Sequence, residues 1–62
     1  MTITDYLEST TVPTVTFASL MDAVQDDDGA KLESLINTLP MSASVRNDLN
    51  IIWATTYDEN YA

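Results

Sequence analysis

Sixty-two residues carry ten acids against two bases, Lys31 and Arg46, for a net charge of −8, with no cysteine and no histidine. A chain of this length buries only about 60% of the surface its unfolded form exposes, and a disulfide scaffold and the usual zinc sites are both excluded. Charged residues total 19%, below the roughly 25% of an average soluble protein. The chain is therefore poor in bases rather than dense in acids, which excludes a polybasic membrane anchor and argues against direct nucleic-acid binding, where phosphate contacts draw on Lys and Arg.

The first fifteen residues read as an arm. Ile3, Tyr6 and Leu7 are spaced for one short helical turn capped by Thr2 or Thr4. The run Ser9-Thr10-Thr11-Val12-Pro13-Thr14-Val15 is β-branched and broken by proline, so it reads as extended. No positively charged, then apolar, leader opens the chain, and its longest apolar run is Ile51-Ile52-Trp53-Ala54, far short of a membrane span. The expected setting is the cytoplasm, or the virion or host cytoplasm for a viral source, without membrane contact.

Three helices follow. The first holds Phe17, Leu20, Met21 and Val24, with Thr16 as its cap and Val15 placed to staple onto Leu20. Asp26-Asp27-Asp28-Gly29 ends it as a turn. The second holds Leu32, Leu35, Ile36 and Leu39, is capped by Asp27 or Asp28, and stops before Pro40. The third holds Val45, Leu49, Ile52 and Trp53 and is opened by Ser42 or Ser44. Two acids, Asp58 and Glu59, follow Tyr57, where a helix macrodipole disfavours them, so this helix should end near Thr56. The expected fold is thus all-α: a single 1–62 domain with an extended arm over 1–15, a three-helix core over 16–56 and a short acidic tail over 57–62. Its core is the twelve stripe residues just named.

The chemistry that such a chain supports is limited. Fitted to a calcium-binding loop with Gly29 in the sixth place, the acidic turn puts Val24 and Leu35 where the first and last ligands belong. It is read instead as a solvated turn that doubles as a cap. Asp22 and Asp26 share a helix face, but catalysis also needs a water-excluding site, and a core this small leaves little room for a pocket of roughly 300 Å³. No enzyme activity, catalytic residue, metal or cofactor is expected.

What remains is surface. After the stripes are filled, Ile3, Tyr6, Leu7, Val12, Ile51, Tyr57 and Tyr61 are left over, and Ile51 lies across the helix from its own stripe. Either the arm folds back over the bundle or these residues meet a partner. The candidate contact set is Tyr6, Leu7, Val12, Ile51, Tyr57 and Tyr61, with tyrosines as amphipathic anchors and Thr10–Val15 able to join a neighbour's sheet edge. The expected function is that of a small, non-catalytic accessory protein docking on a larger protein assembly, of a size that suits a viral or phage protein. Its partner would be a protein with a basic or apolar surface, and a homo-oligomer is compatible with the same features. The alternative is an acidic DNA-mimic inhibitor of a nucleic-acid-binding protein, acting through Asp22, Asp26, Asp27 and Asp28.

Overall fold

The structure is a computed structural model that describes residues 2–57, and over these it contains four helices and no strand. The first helix, α1, spans Ile3–Ser9. Thr2 caps it, its Oγ1 accepting the Asp5 amide at 3.1 Å, and Asp5 adds negative charge to the first turn, where the macrodipole favours it. Seven residues are too few to hold a helix in water on propensity alone. Burial holds this one: Ile3 and Leu7, four apart on one face, are 4% and 2% exposed.

Here the structure corrects the sequence reading. The arm is not extended over its length; only residues 10–13 are non-helical between α1 and α2, so the three-helix count becomes four. Leu7, expected at a contact surface, is a core residue and is closed to any partner. The reason lies in the faces available: three helices of this length leave one side of their core uncovered, and the Ile3/Leu7 pair covers it.

Helix α2 spans Thr14–Gln25, starting two residues before the expected cap. Pro13 stands at its N-cap, with the fixed φ that suits a helix entrance, and its carbonyl accepts the Phe17 amide at 3.0 Å. Thr16 is thereby released from capping. It is fully buried, and its hydroxyl donates to the Pro40 carbonyl at 2.8 Å, tying α2 to the loop between α3 and α4. Val15 points outward at 60% exposure, so the anticipated staple onto Leu20 is not made.

The acidic turn closes α2 by a Schellman arrangement. The Asp27 amide donates to the Val24 carbonyl at 3.0 Å and the Asp28 amide to the Ala23 carbonyl at 3.3 Å, with Asp27 at φ 51°. That left-handed position usually falls to glycine. Gly29 is needed for space instead. A Cβ built there would lie 2.9 Å from Tyr57 Cδ1 and 3.3 Å from Tyr57 Cβ, so glycine lets the end of α4 approach.

Helix α3 spans Gly29–Thr38, with Asp28 as its cap, Oδ1 accepting the Lys31 amide at 3.0 Å. It stops as proline requires, Leu39 turning extended before Pro40. Ser42 opens α4, Ala43–Tyr57, its hydroxyl accepting the Val45 amide at 3.2 Å. The tail residues Asp58 to Ala62, Tyr61 among them, lie outside the described residues.

The helices form a closed ring in which α1 lies against α2 and α4, and α3 against the same two. Ile3, Leu7, Leu20, Ala23, Leu32, Ile36 and Leu49 meet in the middle. Four of the twelve stripe residues are fully buried, and the other eight pack around the cluster half-buried. Among the described residues, no helix is long and apolar enough to cross a membrane.

Candidate functional site

Two seams of α4 differ in what they leave open. Against α3 the seam is closed by polar side chains reaching to backbone. Arg46 Nε donates to the Ile36 carbonyl at 3.1 Å and its terminal nitrogen to the Leu39 carbonyl at 2.8 Å. These are carbonyls at a helix C-terminus, where a cation is favoured and a partner is otherwise missing. At the other end, Trp53 Nε1 donates to the Gly29 carbonyl at 2.7 Å, with Tyr57 stacked on Trp53 at a centroid distance of 6.2 Å.

Against α1 the seam stays partly open. The Tyr6 hydroxyl donates to Asp48 Oδ2 at 2.8 Å, joining residues 42 apart in the chain. Beside this bond runs an open groove of about 340 Å³, lined by Tyr6, Ser9, Thr10, Asp48, Ile51 and Ile52. Ile51 stands at its lip, 50% exposed. The groove exists because α1 is only seven residues long, whereas α4 has fifteen and runs past it. Its volume exceeds what a three-helix core was expected to leave, since the added helix makes a surface cleft rather than an interior cavity.

Burial first, and then the hydrogen bond to Asp48, push the Tyr6 hydroxyl above the usual tyrosine range; the Thr10 side chain opposes them, and the Asp48 charge adds a smaller push upward. Tyr6 therefore stays a protonated donor at neutral pH. Tyr57 is also raised, by burial first and then by the nearby Asp27 carboxylate, which its hydroxyl approaches at 3.4 Å.

Of the residues singled out from the sequence, Tyr6 and Ile51 are brought together at this groove. Val12 is half-buried against the core, leaving it little to offer a partner. Tyr57 lines a separate depression of about 270 Å³ with Thr2, Ile3, Thr4, Val24, Asp27 and Thr56. The Thr10–Val15 stretch has no strand to donate, because Thr14 and Val15 are helical. Asp48, Ser9 and Thr10 were not among the candidates. Asp48 carried a signal, lying one helical turn before Ile51 on the same face.

Asp22, Asp26, Asp27 and Asp28 are all exposed, at and beyond the end of α2. Three of them have local partners: Asp26 lies 4.0 Å from Lys31 Nζ, Asp27 faces the Tyr57 hydroxyl, and Asp28 caps α3. Among the described residues no three acidic side chains converge in a way that could hold a metal ion. The groove offers an apolar lip, hydroxyls and one carboxylate. Comparison with family models, with curated proteins and with solved structures gives no match.

Proposed function

We propose that this chain is a non-catalytic accessory protein that docks on a larger protein assembly, and that the α1–α4 face carries the contact. The observation behind this reading is Ile51, a large apolar side chain half-exposed at the lip of a groove that also holds Tyr6 and Asp48. An aliphatic anchor beside an amphipathic aromatic and a polar rim is the composition of a small contact patch. Other residues fill the core, so Ile51 has no evident structural duty. The test is affinity capture from an extract of the source cell, comparing the native chain with Ile51→Asp. Loss of a specific captured protein, with helical circular dichroism unchanged, supports the reading; equal capture by both removes it.

The acidic-mimic alternative has less support. Asp28 and Asp27 are engaged in turning the chain and Asp26 pairs with Lys31, which leaves Asp22 as the one acid of the four with no partner among the described residues. Under that alternative, capture falls steeply with added salt and is lost on neutralising Asp22 and Asp26 rather than on changing Ile51.

A further inference from the structure

The groove between α1 and α4 has a charge character that narrows what can fill it. Asp48 is half-buried there, and Oδ2 accepts the Tyr6 hydroxyl, while Oδ1 takes no hydrogen bond from the described residues. Neither of the chain's two basic side chains lines the groove: Arg46 donates to the end of α3, and Lys31 stands exposed 4.0 Å from Asp26. Arg46 leaves α4 on nearly the opposite side from Asp48, two residues and about 200° away. Asp5, exposed on α1 one turn before the lining residue Ser9, adds a further negative charge to that helix. On the same rim stands Ile51.

Resting on the docking role proposed above, we propose that the α1–α4 groove receives an amphipathic helix of a partner protein that sets an apolar side chain against Ile51 and Ile52 and an arginine or lysine against Asp48. A cleft between two helices has the shape for a third helix, read through one apolar row with a flanking charge. A carboxylate with a free oxygen, partly withdrawn from water, attracts a cationic partner more strongly than a fully solvated one does. A second copy of this chain is a poor occupant, because it brings net charge −8 against −8 and a single exposed base, Lys31, which stands beside Asp26.

The probe is a synthetic alanine-based helix of about 15 residues with a leucine row flanked by arginines, compared with the same peptide carrying glutamine for arginine. Binding is followed by amide chemical shifts in the isotope-labelled full chain. The arginine peptide should move the amides of Tyr6, Ser9, Asp48 and Ile51, and the glutamine peptide should bind about tenfold more weakly. Asp48→Asn, which keeps an acceptor for Tyr6, should weaken the arginine peptide by about the same factor and leave the glutamine peptide unchanged. Glu33→Gln, the same charge change on the exposed face of α3, should alter neither by more than about twofold.

Equal affinity for both peptides overturns the inference and leaves the docking role standing. So does a response centred on Asp22 to Asp28, or no response at all, while capture still depends on Ile51. Groove shifts that appear in the protein alone as its concentration rises overturn it in favour of self-association. Failure of the docking role itself is read separately, from equal capture by the native chain and Ile51→Asp.

Discussion

Helices α1 and α3 stand on opposite sides of the ring, each wedged between α2 and α4, yet they are held by different means. α3 is fastened at both ends by polar side chains of α4, Trp53 to the Gly29 carbonyl and Arg46 to the carbonyls of Ile36 and Leu39. α1 is held by two buried aliphatics and one hydroxyl–carboxylate bond. The closed seam commits its polar groups to the fold. Among the described residues, the open seam leaves one Asp48 oxygen without a hydrogen bond and Ile51 half-exposed, and it is there that we propose a partner contact.

The contrast can be broken most severely at Leu7. Leu7→Ala should cost about 2–5 kcal/mol, enough to unfold much of a domain this small, as read by urea denaturation. An α1 that were merely an arm would tolerate the change. On the other side of the ring, Arg46→Leu should cost about 1–3 kcal/mol by leaving two helix-end carbonyls without their cationic donor. The same measurement should show Tyr6→Phe costing about 1 kcal/mol, since the ring stays in place and one partly exposed hydrogen bond goes. Ile51→Asp should fall within about 0.5 kcal/mol of the native chain, as a surface change without structural partners.

The two tyrosines add a dependence on pH. Both have hydroxyls whose titration is raised in the folded chain, so the folded form holds its protons longer than the unfolded one. Their contribution is complete below the ordinary tyrosine value of about 10 and is lost as pH rises through the folded values. Stability measured by urea unfolding should therefore decline above pH of about 10, and the Tyr6→Phe/Tyr57→Phe pair should flatten that decline. A decline of equal slope in the double variant would assign it to other groups.

Much of α2, α3 and α4 was legible because each carries its apolar residues on one stripe and begins or ends on a residue with one clear role: Asp28 and Ser42 as caps, Pro40 as a stop. Thr16 misled because a threonine before an apolar run has two uses, and here the interior hydrogen bond to Pro40 outweighs capping. α1 was legible only as one short helical turn capped by Thr2 or Thr4, not as a fourth, seven-residue helix of the core. Its periodicity spans only Ile3, Tyr6 and Leu7, and a segment that short is helical only when tertiary burial makes it so, which local pattern does not reveal. The same gap hid the groove. Ile51 stood out from its stripe, but Asp48 gains meaning only once Tyr6 is known to lie across from it.

A photo-crosslinking residue placed at position 51, and separately at Glu33 on the exposed face of α3, reports which side of the ring meets a partner when both proteins are irradiated in an extract of the source cell. If the α1–α4 face carries the contact, one defined protein adduct forms from position 51 and none from position 33. An adduct formed from position 33 alone would contradict it and move the working surface to the other side of the ring.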